Sequence, residues 1–231
     1  MSEPLFEVRD VVKRYEKEGR EITVLDKVNL SIGLGDFVVI VGATGSGKTT
    51  LINILSGLDK PDSGKVYFEG EDMTRMSEEE LADLRRENMG FVFQHFNLIP
   101  EFTALENVES PLYPTKLSDR EIRTRALKVL ELVGMTHRVN HYPDELSGGE
   151  KQKIAIARAL ITNPVVIFAD EPTAALDPQS EKEVIWLLRE INRKRRTTII
   201  LATHNRALAS STDKVFELKN GKLVRVSGGR T

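Results

Sequence analysis

The sequence predicts an α/β fold with a β-rich segment at its start and a helical segment set into its middle. Three observations carry this. Short apolar runs rich in β-branched residues, at Phe37–Val41, Gly90–Phe93, Val165–Ala169 and Thr197–Ala202, recur between helix-like stretches. The first of them runs straight into a glycine-rich loop and then a helix, over Gly42–Leu55. Residues 112–145 are helical and charged and interrupt the alternation, so they read as a helical subdomain.

At 231 residues the chain holds one α/β domain, or such a domain with a small helical insert. Its 40% hydrophobic and 29% charged residues are ordinary for a soluble globular protein. A net charge of −2 gives no global attraction to nucleic acid, and no nucleic-acid partner is expected. The absence of cysteine excludes disulfides and thiol chemistry. Met1, Ser2, Glu3 and Pro4 open no apolar signal region, and no run approaches the roughly 18 apolar residues of a membrane span. A cytosolic location is expected.

Taken in order, Leu5–Val12 is partly alternating, and Ile22–Leu25 and Val28–Ile32 are two further strand candidates. A charged turn over Glu16–Arg20 separates them from Tyr15, which by itself reads as a plain strand-edge residue. After the first helix, Pro61–Gly64 is turn chemistry, Lys65–Phe68 is strand-like, and Glu69 and Gly70 turn again. Ser77 and Glu80 have capping-box spacing and open a helix to about Glu87. Gly90–Phe93 is a buried strand ending at Gln94. Residues 95–111 read as irregular and apolar, with Phe96, Leu98, Ile99 and Phe102 divided between the core and an exposed partner-binding patch. Ser118 and Glu121 repeat the capping box, and Ile122, Ala126, Val129, Leu130 and Val133 form the apolar stripe behind it. From Ser147 a helix over Lys151–Ile161, the strand Val165–Ala169, the helix Gln179–Asn192 and the strand Thr197–Ala202 restore the alternation. Asn220 and Gly221 then join Val215–Leu218 to Leu223–Val226 as a hairpin. Arg193–Arg196 is a dense basic run that suits a helix C-terminus, with an anionic-lipid contact as the alternative.

The loop names its own ligand. Gly42, Ala43, Thr44, Gly45, Ser46, Gly47, Lys48 and Thr49 spell G-x-x-x-x-G-K-[ST] between a strand and a helix, and Thr50 continues the helix. The glycines let backbone N–H groups turn inward as a nest for phosphate oxygens, with the positive end of the helix dipole behind it. Lys48 is expected between the β- and γ-phosphates, and the Thr49 hydroxyl on Mg²⁺. A second constellation follows the strand Val165–Ala169, which ends in Asp170 and Glu171. Carboxylates at the carboxyl end of a buried strand lie where open α/β sheets place ligands. Asp170 is expected to hold Mg²⁺ through a water, and Glu171 to polarise the water that attacks the γ-phosphate. Together these predict binding and hydrolysis of ATP.

Leu146, Ser147, Gly148, Gly149 and Glu150 then resemble the signature of ATP-binding-cassette (ABC) ATPases. The other motifs follow in that family's order over nearly the whole chain. Tyr15 matches the aromatic residue that stacks on adenine, and Gln94 the glutamine that senses Mg²⁺ and the γ-phosphate. Ala175, Leu176 and Asp177 match the D-loop, and Thr203 and His204 the switch histidine. The resemblance implies a P-loop NTPase core of ABC type with an antiparallel β subdomain and a helical subdomain. The whole of 1–231 is then one ABC ATPase domain. Its RecA-like core and β subdomain occupy about 1–94 and 163–231, and its helical subdomain about 95–162.

The signature also has a physical reading. Ser147 and Glu150 form a capping box at a helix start, and two glycines allow close approach, which makes a second phosphate site. The resemblance implies that ATP lies between one subunit's P-loop and the other's signature in a head-to-tail homodimer. It also implies integral membrane permease subunits as partners, and a peripheral position on the cytoplasmic face of the inner membrane. Residues 70–112 look like the lipoprotein-release and macrolide-export branch (LolD/MacB-like), with the cell-division branch as the nearest competitor. Three positions depart from the commonest pattern: Glu150 stands for Gln, Lys153 for Arg and Thr49 for Ser. Two other classes are weighed. A non-transport ABC ATPase would carry a long coiled coil or a second cassette, and neither is present between Lys48 and Asp170 or elsewhere. A regulatory ABC pair controlling a membrane complex would share the same ATP chemistry.

Overall fold

Strands β1 (Phe6–Lys17) and β2 (Arg20–Ile32) pair antiparallel from Phe6↔Ile32 to Lys17↔Arg20. This computed structural model describes residues 3–17, 19–211 and 214–226. The two expected strands at 22–25 and 28–32 are one. The register shifts between Val11 and Lys13, and Lys27 takes a positive φ of 50°, so a bulge absorbs Asp26 and Lys27 without ending the strand. β4 (Ser63–Phe68) and β5 (Glu71–Asp72) complete an antiparallel sheet of order β2-β1-β4-β5.

The second sheet has the order β10-β9-β3-β8-β7-β6. Its strands are β3 (Phe37–Val41), β6 (Met89–Phe93), β7 (Val166–Asp170), β8 (Thr198–Thr203), β9 (Lys214–Lys219) and β10 (Lys222–Val226). All its neighbours run parallel except the terminal hairpin β9–β10. Every residue of β3 is buried, which explains why it reads as a continuous apolar run rather than an alternating one. Val38 and Ile40 face the core shared with the antiparallel sheet and α1 (Lys48–Leu55). Phe37, Val39 and Val41 face a second core shared with α5 (Gly148–Leu160) and α6 (Pro178–Arg195).

Helix α2 (Glu78–Asn88) starts at the Ser77 capping box, as its spacing predicts. α4 (Asp119–Leu132) starts at the Ser118 box, and buries Ile122, Ala126, Val129 and Leu130 beside α3 (Ala104–Glu109) and α5. Helix α3 lies in the stretch read as irregular. Thr103 and Glu106 cap it reciprocally, and fully buried Asn107 fixes the turn before it. The Asn107 Oδ1 accepts from Ile99 N at 2.7 Å, while Nδ2 donates to the carbonyls of Ile99, Phe102 and Thr103 at 3.0 Å each. Leu98 packs against the core, Ile99 is exposed, and Phe96 and Phe102 are half-buried. The basic run closes α6, with Arg196 in a left-handed C-cap. Among the described residues, no helix is long and apolar enough to cross a membrane.

Candidate active site

The carboxyl ends of β3, β7 and β8 converge on the first turn of α1. β3 ends at Val41, and the chain turns through Gly42–Gly47 before α1 begins at Lys48. A Cβ at Gly42 would lie 2.5 Å from Ser46 Oγ and 2.7 Å from the Leu218 carbonyl, so no side chain fits there. Gly47, the N-cap, has φ 100° and packs under Val24. Ala43, Thr44 and Gly45 form the exposed tip, and Ser46 and Thr50 are half-buried. The buried Ser46 Oγ has no hydrogen-bond partner.

Lys48 is buried, with 6% of its surface exposed. Its Nζ donates to the carbonyls of Gly42 at 2.9 Å and Ala43 at 3.1 Å, and lies 3.2 Å from Glu171 Oε1. The Thr49 hydroxyl donates to Asp170 Oδ2 at 2.7 Å, which joins the first turn of α1 to the end of β7. Asp170 Oδ1 is buried without a partner. Burial pushes the Asp170 carboxyl above the ordinary range, opposed by the Thr49 hydroxyl. Glu171 follows with φ 48°, a left-handed conformation that turns its carboxylate back across the strand ends. Its Oε2 accepts from the backbone of His204 at 3.2 Å and lies 2.8 Å from His204 Nδ1. Glu171 therefore bridges Lys48 and His204.

Gln94 is half-buried and directly follows Phe93, whose register partner on β7 is Asp170. The sheet thus brings Gln94 beside the carboxylates. Tyr15 is 41% exposed, and its hydroxyl donates to Asp59 Oδ2 at 2.8 Å. Lys13 Nζ lies 5.2 Å above the same ring and 2.7 Å from Asp59 Oδ1. An exposed ring anchored beside the P-loop helix is suited to stacking on a planar base.

The signature caps α5 at Ser147, and the helix begins at Gly148, three residues before the expected start. Its two glycines differ in use. A Cβ on Gly148 would meet Leu176 at 3.3 Å, whereas one on Gly149 would lie 2.7 Å from Ser180 Oγ, so Gly149 seats α5 on α6 of the same chain. Asp177 is the N-cap of α6, accepting from the Gln179 and Ser180 backbones at 3.0 and 3.1 Å. The sequence reading missed Asp59, Arg138 and Arg158, whose partners are far away along the chain. Arg158, on α5, donates to the carbonyls of Phe96, at 2.8 Å, and Asn97, both left-handed residues just after Gln94.

A family model described as ABC transporter matches residues 25–174. The macrolide export ATP-binding/permease protein MacB of Pasteurella multocida (strain Pm70) is 43% identical over 228 residues, 99% of this chain. The chain spans only 35% of that relative's length. The lipoprotein-releasing system ATP-binding protein LolD of Wigglesworthia glossinidia brevipalpis is 42% identical over 221 residues, which are 96% of each chain. Among solved structures, the ATP-binding cassette MJ0796, as a dimer in a post-hydrolysis state bound to ADP and Pi, superposes with a TM-score of 0.88. It is 40% identical, over 98% of this chain and 100% of that one. CbiO1 of Clostridium perfringens, part of the ABC transporter complex cbiONQ, gives a TM-score of 0.86 at 31% identity, over 96% and 88% of the two chains. The chain belongs to the ABC transporter family, as an ATP-binding, ATP-hydrolysing subunit of the LolD and MacB type.

Proposed function

We propose that two copies of this chain close head to tail around ATP and reopen after hydrolysis, driving integral membrane permease subunits. The chain then sits on the cytoplasmic face of the inner membrane, held there by those subunits, in a system of the lipoprotein-releasing or macrolide-export kind. The dimeric state of MJ0796 and the names of LolD and MacB support this reading. One observation carries it. Strand β6 links the phosphate site to an apolar groove of about 570 Å³: Met89, Phe91 and Phe93 line the groove, and the next residue is Gln94. Arg85 and Arg158 stand at the same groove, so it suits an amphipathic helix with an acidic residue. A shift of Gln94 with the γ-phosphate would tilt the strand end on which the permease sits. Residues 95–162, with α3, α4 and α5, would move as the helical subdomain.

In this reading Tyr15 stacks on adenine and the P-loop N–H groups of residues 42–50 cradle the phosphates. Lys48 exchanges its two carbonyl partners and Glu171 for β- and γ-phosphate oxygens. Glu171, released from Lys48 and still held by His204, accepts a proton from the attacking water. Ser147 and the α5 N-terminus meet the γ-phosphate of the other copy, near its D-loop Asp177. The orphaned Asp170 Oδ1, the Thr49 hydroxyl and Gln94 fit a hydrated divalent cation, and Mg²⁺ there would neutralise phosphate charge.

The test uses Glu171→Gln, which should bind ATP without turning it over and elute as a dimer in gel filtration only with ATP. A persistent ATP-bound monomer at high protein concentration sinks the sandwich. For the groove, Leu58→Glu at its exposed rim should keep basal ATPase and lose stimulation by the co-purified permease. Full stimulation in that variant would place docking elsewhere.

A further inference from the structure

The described residues include four Ser/Thr-x-x-Glu capping boxes, and one differs from the rest. At Ser77, Thr103 and Ser118 the hydroxyl donates to the glutamate Oε2, at 2.8, 2.7 and 2.6 Å. In the signature box the Glu150 Oε2 accepts the Ser147 backbone N–H at 2.9 Å, and the hydroxyl contributes less to keeping the carboxylate ionised than that backbone bond or Arg138. The Ser147 hydroxyl accepts from Glu150 N at 3.3 Å. Here the glutamate has a further partner: Arg138 Nε donates to Glu150 Oε1 at 2.8 Å.

Arg138 is fixed from behind. It ends a 3-10 turn, Thr136–Arg138, whose backbone accepts from His141 N at 2.9 Å, and its Nη1 lies 3.0 Å from His141 Nε2. The same segment is tied to α3, since Ala104 N donates to His141 O at 2.8 Å and Leu105 N to Val139 O at 3.0 Å. The guanidinium and carboxylate are 35% and 21% exposed, close enough to the surface to meet a second copy and sheltered enough for their charge to be felt. The Ser147 backbone, Arg138 and the Ser147 side chain together hold the Glu150 carboxyl below its ordinary range.

We infer that Arg138 is a positioning residue for ATP sensing in trans. By holding Glu150 through Oε1 it cancels a negative charge at the helix start, next to the Ser147 hydroxyl. A glutamate at this place would otherwise repel the polyphosphate. Arg138 acts through Glu150 and Ser147 and touches the chain's own P-loop nowhere. The inference rests on the head-to-tail reading proposed above.

The experiment measures the ATP concentration at half-dimerisation, by light scattering, in a Glu171→Gln parent. Arg138→Gln, which keeps part of the stem, should raise that concentration about tenfold, because an unpaired carboxylate then faces phosphate. Adding Glu150→Gln should bring it back to within about threefold of the Glu150→Gln variant alone, since a neutral amide has no charge to cancel. Binding of ADP to the monomer's own P-loop should not change in any of these variants. Loss without rescue by Glu150→Gln overturns the inference and leaves Arg138 a fold-stabilising residue. An unchanged half-dimerisation in Arg138→Gln overturns it as well. If Arg138→Gln melts below the assay temperature, Arg138→Lys carries the same test with an expected shift of about threefold, again cancelled by Glu150→Gln. A parent that never dimerises with ATP sinks the head-to-tail reading itself, and this inference with it.

Discussion

Glu171→Gln should tighten binding of ADP, a ligand that has no γ-phosphate to hydrolyse. Without nucleotide, Glu171 Oε1 occupies Lys48 Nζ at 3.2 Å, in surroundings where the two side chains are only 17% and 6% exposed. A gross attraction at that distance, with an effective dielectric of about 20, is about 5 kcal/mol. Desolvation of both groups and imperfect geometry reduce the net value to about 1–2 kcal/mol. A β-phosphate must displace this carboxylate before it can take the ammonium. Glutamine keeps the length and can still accept from the His204 backbone, but it gives up the charge. ADP affinity should therefore rise about five- to thirtyfold. Titration calorimetry with Mg²⁺ and ADP measures this directly. Glu171→Asp, which keeps the charge on a shorter stem, should fall between the two. Equal or weaker ADP binding by Glu171→Gln would refute the displacement argument, since it would mean that Lys48 is not held by Glu171 at any cost to the ligand.

Tyr15→Ala should weaken ADP binding about tenfold and leave kcat within about twofold, because stacking is felt equally in ground and transition states; unchanged affinity returns Tyr15 to a strand-edge residue. Asp170→Asn should abolish Mg²⁺-dependent turnover while raising the nucleotide-free melting temperature by about 2–4 °C at pH 7, equivalent to about 1 kcal/mol. The sign follows from burial, which raises the folded pKa of Asp170 above its unfolded value. Stability from that group is present in acid and lost as pH rises through the folded pKa, so the gain from Asn should fade as the buffer is acidified. Asn107→Ala should cost about 3 kcal/mol, or roughly 6–12 °C, because three carbonyls and one N–H lose a buried partner; a loss under 2 °C in a melting curve would show that water replaces the amide.

The legible part of this protein is the part written in local sequence. A nest at a helix start, a strand ending in carboxylates and a serine-capped signature each need only neighbouring residues, so their spacing names them. Helix α3 was hidden for the opposite reason. Six residues are too few for a 3.6-residue period to show, and the Thr103–Glu106 box lies inside an apolar run that distracts from it. Strand β2 looked double because a bulge at Asp26 and Lys27 resembles a turn until its partner strand is known. Glu171–Lys48, Arg138–Glu150, Arg158 on Phe96 and Asn107 on Ile99 join residues 8 to 123 positions apart. No periodicity marks such pairs, and only packing reveals them.

Those non-local pairs share one physical property. Apart from Asp170 Oδ1, the charged groups at the phosphate site and the signature already have internal partners: Lys48 has two carbonyls and Glu171, Asp170 Oδ2 has Thr49, and Glu150 has Arg138. Binding nucleotide is then an exchange of partners rather than the filling of a bare charge, and its net free energy is a difference between similar terms. A ligand shifts a conformational equilibrium only by its differential affinity for the two states. In the proposed head-to-tail arrangement, a site whose cis contacts are nearly balanced would leave most of that difference to contacts made on closure, at Ser147 of the second copy and at Gln94. The nucleotide should therefore bind a lone subunit modestly and the closed pair tightly. Mutations that unbalance a cis pair, such as Glu171→Gln, should raise affinity for the lone subunit and lower the fraction of binding energy available for movement at the groove.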